Sequence, residues 1–498
     1  MAGALTENNA PIVSQPLPLL KRWDRNVKLT LFLSSLVTFV LLLGAMVREN
    51  FMSPWRHFQG EYKQLLLASP DERLKKLADK FDIEIRQVDL PQLGTVDRCV
   101  SCHNGLENPA FTDAKQPHRM HSGQYLKWHP VSKYGCTICH RGQGAATDFF
   151  EAKAVDVHWE YPLLPLTLTQ SSCGACHAPD SKEMQTHAPM LADGRQLFID
   201  RGCQSCHKLG GVGGQLGPAL DGIGMKIKHQ LPMTHLVGEH TLPNWLAQHF
   251  ENPQKIVANS QMRPPKLTAS ENVALTIYML SLSNRDLPQT YVPKDRIAAQ
   301  NRDHFHKEMD GAVLFKNYCS NCHGNGSFAE WDKFFVRFMP AVRGPGLRGL
   351  ADHEYFKTAI TQGRPGTLMP AWGKNAGGLT DEQVEKLVIY LMAGDQRTWT
   401  PPASPIGSLA GGNVQRGNEL FQQMCAGCHG ANKLAPTLSN TVLQKSASDD
   451  FLARTILFGR PDTPMPAFRR EGAQGLSDAE VRDLIAYVRS LGNKGTKP

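Results

Sequence analysis

All 12 cysteines of this chain fall in six copies of one five-residue pattern, C-x-x-C-H. The copies are Cys99-Cys102-His103, Cys136-Cys139-His140, Cys173-Cys176-His177, Cys203-Cys206-His207, Cys319-Cys322-His323 and Cys425-Cys428-His429. No cysteine is left over for a disulfide or a nucleophile. One C-x-x-C serves equally as a zinc half-site or a redox dithiol, but a histidine following at once in every copy suits neither. Two thiols at this spacing add to the two vinyl groups of one haem, and the next residue reaches the iron as proximal ligand. The pattern predicts six covalently bound haems c, ligated by His103, His140, His177, His207, His323 and His429.

The remaining composition bounds the partners. The 498 residues allow roughly three or four domains of ordinary size. With 41% hydrophobic and 20% charged residues the chain reads as globular. Its net charge of +8 comes without a long Lys or Arg run, so no nucleic-acid partner is expected. The propionates of six haems would add roughly twelve negative charges and cancel that excess.

Residues 29–47, LTLFLSSLVTFVLLLGAMV, carry no charge and are long enough to span a bilayer as a helix. The run exceeds the core of a secretion signal, about 28 residues precede it, and no A-x-A site follows. An uncleaved single-pass anchor in membrane lipid is expected. Lys21, Arg22, Arg25 and Lys28 place residues 1–28 in the cytoplasm. Covalent haem attachment takes place outside the bacterial cytoplasmic (inner) membrane, which puts the haem domains on the periplasmic side.

The expected fold class is mainly α. Residues 48–94 read as a helical connector in which Ser69 caps a helix over SPDERLKKLADKF (69–81), Pro70 fits its first turn and Glu72 completes a capping box. Residues 95–190 hold three attachment sites separated by two 37-residue intervals, too little chain for three separate cores. Three packed haems should supply most of the interior there. Spare histidines are plentiful in this module, and His118 or His121, His129 and His158 are the expected distal ligands, with His187 next.

Three similar units follow, at 192–284, 305–395 and 413–492. Each approaches its haem site by a short helix (GRQLFIDRGCQSCH, GAVLFKNYCSNCH, GNELFQQMCAGCH) and continues to GPAL (217–220), GPGL (344–347) or APTL (435–438). The proline of this turn is expected to set a carbonyl against the proximal imidazole N–H. A methionine beside proline comes next, at Met262, Met369 and Met465. A thioether can take the sixth iron position and raise the reduction potential. Each unit closes with an amphipathic helix that Thr or Ser can cap: LTASENVALTIYMLSL, LTDEQVEKLVIYLM and LSDAEVRDLIAYVRSL.

These three units resemble class I c-type cytochrome domains, small helical folds around a His/Met haem. The tandem arrangement is similar to the cytochrome subunits of membrane-bound alcohol dehydrogenases and, for two units, of cbb3-type oxidases. The first unit departs from the pattern at SQMRPP, and the second carries an insertion, FAEWDKFFVRFMPAVR (328–343), of open role. The stretch HPVSKYGCTICHRGQGAAT (129–147) resembles multihaem cytochromes associated with quinol-oxidising complexes.

His/His haems sit at lower potential than His/Met haems. The order along the chain therefore predicts an electron wire from an inner-membrane quinol-oxidising complex, through the three-haem module, to a periplasmic acceptor or terminal oxidase. The rival reading is an oxidoreductase with one catalytic haem acting on a small nitrogen or sulfur compound. It requires an iron with an open position, whereas candidate sixth ligands suffice for every site and no C-x-x-C-K variant occurs. No catalytic residue is expected. The linker PPASPIGSLAGG (401–412) reads either as a semi-flexible tether for the last domain or as an ordered spacer.

Overall fold

The computed structural model describes residues 18–155, 158–283, 287–294, 296, 309–403, 406, 408–430, 434–469 and 475–494. His304 and His306, in the stretch 285–310 that joins the first two repeated units, lie outside these. The described chain is mainly helical, with three short antiparallel strand pairs. It divides into two compact units, residues 1–163 and 164–498.

In the first unit, helix α1 (Pro18–Phe51) contains the whole uncharged run. Every described side chain along it is exposed, as lipid-facing residues would be. At 1.5 Å per residue its 34 residues reach roughly 51 Å, beyond the ~30 Å hydrocarbon core. Helices α2 (Pro54–Leu67) and α3 (Glu72–Asp79) follow. The cap of α3 is Asp71, whose carboxylate accepts from Arg73 N at 2.9 Å, rather than Ser69 two residues earlier, whose hydroxyl accepts from Asp71 N; Pro70 therefore precedes the helix. Asp at this position also faces the positive end of the helix. Strands β1 (Val88–Leu90) and β2 (Thr95–Asp97) then pair, so the connector ends as a hairpin. The apolar core of this unit is small: Tyr62, Leu66, Ala78, Phe81 and Phe111.

The second unit contains the three repeated domains. The first is built on α4 (Pro189–Asp200), α5 (Leu242–Glu251) and α6 (Ala269–Ser281), with strands β3 (Lys208–Leu209) and β4 (Val212–Gly213). The second has α7 (Gly311–Tyr318), strands β5 (Glu330–Asp332) and β6 (Arg337–Met339), α8 (His353–Gln362) and α9 (Asp381–Ala393). The third has α10 (Val414–Met424), α11 (Asp449–Phe458) and α12 (Asp478–Lys494). Thr268 and Thr380 form capping boxes with Glu271 and Gln383, and Ser477 exchanges the same bonds with Glu480.

One boundary differs from a reading of spacing alone. The third attachment segment, Leu166–Ala175, belongs to the second unit and lies on α6, with Gly174 against Ser281. The linker is anchored at two points, where Pro401 and Ile406 are buried and Arg454 donates to the Pro401 carbonyl at 3.2 Å, while Pro402, Ala403, Ser408 and Ala410 are exposed. The second and third domains share one core, in which Tyr355 stacks on Phe451 with ring centres 5.0 Å apart.

Candidate haem-binding sites

Each repeated domain is closed by its first and last helices crossing at a glycine. A Cβ on Gly194 would lie 2.0 Å from Ala274 O, on Gly311 2.2 Å from Lys386 O, and on Gly417 1.9 Å from Asp483 O. Only hydrogen in place of a side chain permits that approach. Four residues after each glycine a phenylalanine meets a tyrosine of the closing helix. The pairs Phe198–Tyr278, Phe315–Tyr390 and Phe421–Tyr487 have ring centres 5.3, 5.6 and 5.2 Å apart. The Gly-x-x-x-Phe signal stands in all three approach helices and went unused in the reading above.

The crossing aims each C-x-x-C-H loop at a proline carbonyl. His207 Nδ1 donates to Pro218 O at 2.8 Å, His323 Nδ1 to Pro340 O at 3.1 Å, and His429 Nδ1 to Pro436 O at 2.9 Å. A carbonyl only accepts, so Nδ1 carries the proton and Nε2 keeps its lone pair for a metal. Burial lowers the pKa of all three imidazoles against the upward pull of these bonds, favouring the neutral, metal-binding form. Gly217 completes the cradle, since a Cβ there would lie 2.3 Å from His207 Cε1.

In the second domain the proline is not that of GPGL. The inserted segment folds as the β5–β6 hairpin and delivers Pro340 at its end, while Pro345 opens the short helix Pro345–Arg348. Proline suits a first helical position because it has no N–H to satisfy. The insertion thus supplies the proximal contact of its own domain.

The methionine loops of the second and third domains are built alike. Gly363 and Gly459 adopt positive φ, 63° and 68°. Arg364 N donates to Met369 O at 2.9 Å and Thr367 Oγ1 accepts from Met369 N at 3.1 Å; the counterparts at Arg460, Met465 and Thr463 are 3.1 and 3.2 Å. The first domain reaches a similar end differently, with Gln254 Nε2 donating to Met262 O at 2.6 Å. Met262 and Cys203 pack half-buried on one core, and Met369 and Cys319 on another. Sequence reasoning missed His249 on α5. It stacks on Trp245 with ring centres 4.5 Å apart, and burial lowers its pKa to about 4 with a smaller contribution from nearby His207.

The residues fit haem c on one further observation. Arg460, beside Met465, is half-buried, and its Nε and Nη2 are shielded from solvent without a hydrogen-bond partner among the described residues. A buried guanidinium without an anion is costly, and a haem propionate would supply that anion.

In the first unit the attachment loops at 99–103 and 136–140 are joined by Asp97, which is wholly buried. Its Oδ1 accepts from Cys99 N at 3.1 Å, and its Oδ2 from Cys136 N at 2.7 Å and Thr137 N at 2.9 Å. Potential ligand atoms of Asp97, Cys99 and Cys136 all lie within 4.8 Å of one another. Burial pushes the Asp97 carboxyl upward, but the bonds from Cys99, Cys136 and Thr137 outweigh it and hold the pKa below the usual range. Burial lowers the His103 pKa, against an upward pull from the nearby Pro117 carbonyl.

The candidate distal histidines separate. His118 is 5% exposed and near His103, with Nε2 3.3 Å from Glu61 Oε2 and a buried Nδ1 that has no hydrogen-bond partner among the described residues. The His121 ring lies 6.2 Å from that of His140. His158 lines a cavity of about 330 Å³ with Gly142 and Gln143, just past His140. His129 is turned to its own surroundings, with Nδ1 3.1 Å from Tyr125 O and its ring 5.1 Å from Tyr134. His187 is exposed at the end of the helix Lys182–His187.

Helix pairs crossed at glycine, a C-x-x-C-H loop, a proline carbonyl on the imidazole and a methionine loop, repeated through the second unit, define c-type cytochrome domains. Residues 191–283 match the family described as cytochrome c, and residues 306–391 and 412–488 the family described as cytochrome c oxidase, cbb3-type, subunit III. Cbb3-type oxidase subunits CcoP of an Azospirillum species and of Rhodobacter capsulatus are 27% and 28% identical, over 39% and 36% of this chain and 69% and 61% of theirs. The cytochrome bc1 complex cytochrome c subunit of Mycobacterium leprae is 25% identical over 44% of this chain and 71% of its own length. No solved structure matches. The chain is a membrane-anchored multihaem c-type cytochrome.

Proposed function

We propose that all six C-x-x-C-H sites carry haem c and that the chain carries electrons from an inner-membrane quinol-oxidising complex to a periplasmic acceptor or a terminal oxidase. The carrying observation is the imidazole-to-proline-carbonyl bond, repeated at His207, His323 and His429, which presents a neutral Nε2 to iron from a fixed ring. When bound, haem supplies one-electron exchange between ferrous and ferric iron. The protein holds each ring in place, keeps its imidazole neutral and offers a sixth ligand. Met262, Met369 and Met465 take that role in the cytochrome domains, and His118 or His121, His129 and His158 serve the N-terminal sites. Saturated iron passes electrons without binding a substrate. The haem domains stand on the periplasmic side of the anchor. The likeness to a bc1-complex cytochrome subunit supports a quinol-oxidising donor, and the likeness to CcoP supports an oxidase as acceptor.

Spectroelectrochemical titration of the purified chain tests this reading. The expected result is a low-potential bis-histidine group and a higher-potential group showing the near-infrared band of methionine-ligated ferric haem. A bis-histidine group more oxidising than the methionine group would reverse the direction of flow, and a stable high-spin centre would overturn the carrier role.

A further inference from the structure

The two departures from the domain repeat meet at one contact. Where the other domains have proline after the ligand methionine, the first has Arg263; the second domain alone has the insertion 328–343. In the folded chain the Arg263 guanidinium pairs with Asp332 on β5, and its centre lies 5.3 Å from the centre of the Phe335 ring. Its Nη1 also donates to the backbone carbonyl of Asn321 at 3.3 Å. Asn321 lies inside the Cys319–Cys322 loop. Gly202, the residue before Cys203, is packed so closely there that an added Cβ would be 3.0 Å from Asn321 Cβ. Lys316 and Asp200, at the ends of α7 and α4, pair at 2.7 Å alongside.

Two attachment loops from successive domains therefore abut, with an arginine of the first domain fastened to the second. The thioethers join the porphyrin at the cysteines of these loops, so loops in contact bring the joined porphyrin edges toward each other. A planar guanidinium can hold a carboxylate, a carbonyl and an aromatic face together, which an ammonium cannot.

We propose that Arg263 is a positioning residue that locks the Cys203–His207 and Cys319–His323 loops edge to edge, making this the electron crossing between the first and second cytochrome domains. With haem held at both loops, the chemistry supplied would be transfer of one electron from a ferrous to a ferric site, with no bond or proton exchanged. The electron step rests on the proposal that both sites carry haem, whereas the lock between the loops does not.

The test compares Arg263→Ala, Arg263→Lys and Asp332→Asn with the unaltered full-length holoprotein. Hydrogen–deuterium exchange over 319–324 reads the lock, electron equilibration after photochemical injection reads the crossing, and the near-infrared methionine band reads the iron ligand. Arg263→Ala and Asp332→Asn should each raise exchange and slow equilibration several-fold with the methionine band retained, and Arg263→Lys should recover only part of the loss. Unchanged exchange in both Arg263→Ala and Asp332→Asn overturns the lock. Raised exchange with unchanged equilibration overturns the crossing. Loss of the methionine band in Arg263→Ala, with exchange and equilibration normal in Asp332→Asn, makes Arg263 part of the Met262 loop alone and also overturns it. If intact mass shows either site of the unaltered chain without haem, the functional reading fails, and the exchange data still decide the lock.

Discussion

Asp97→Ala removes two haems from the mature chain at once, those of Cys99–His103 and Cys136–His140. One wholly buried carboxylate accepts the amides of Cys99, Cys136 and Thr137, so both attachment loops take their register from a single side chain. Each buried amide left without an acceptor costs about 1–3 kcal/mol. Three together approach the roughly 5–15 kcal/mol that holds an ordinary domain folded. The small apolar core around Tyr62 and Phe111 has little to offset the loss. Intact mass should fall by two haems while those of the second unit remain. Asp97→Asn keeps one acceptor oxygen but turns an amino group toward neighbouring amides, and should give an intermediate loss. Full haem content in Asp97→Ala would show that the loops hold themselves. Because the folded carboxyl titrates below its unfolded value, its contribution is present above the unfolded pKa and fades as pH falls through the lowered folded one. The alanine variant should therefore lack that part of the acid sensitivity.

Gly417→Ala should unfold the third cytochrome domain. The added methyl carbon would stand 1.9 Å from Asp483 O, where α10 crosses α12, and backbone on both sides leaves nothing flexible to yield. Separating the helices to relieve the clash also opens the Phe421–Tyr487 contact and exposes Leu420 and Leu484. The cost should exceed about 4 kcal/mol, in the range reserved for severe steric faults. Gly60→Ala, on α2, is the control, since a Cβ there meets nothing within 4 Å. Thermal unfolding followed at the methionine band should show the third domain lost in the first variant and native in the second. Equal melting of both would mean that the crossing is looser than its glycine implies.

The parts legible in sequence are those fixed by local chemistry. A C-x-x-C-H motif carries its own geometry, and Thr268, Thr380 and Ser477 cap because the residues they bond are three positions away. The parts that escaped depend on contacts made through space. Nothing within GPGL announces that Pro345 is needed to start a helix and that a hairpin will bring Pro340 to His323 instead. Composition gives the stiffness of residues 401–412 but not the groove that buries Pro401 and Ile406. The third attachment segment was grouped with its neighbours by spacing, whereas Gly174 lets it settle on α6. Among the spare histidines, sequence could not separate His118, buried beside His103, from His129, turned toward Tyr125 and Tyr134. Asp97 had no motif at all; its role exists only once two distant loops share it.

The intact mass of the mature, membrane-extracted chain tests the central claim most directly. Six covalent haem additions are predicted, one for each C-x-x-C-H, with one addition lost for each cysteine pair replaced by serine. A mature chain carrying fewer than six, or one that keeps its full count after such a replacement, would contradict the account.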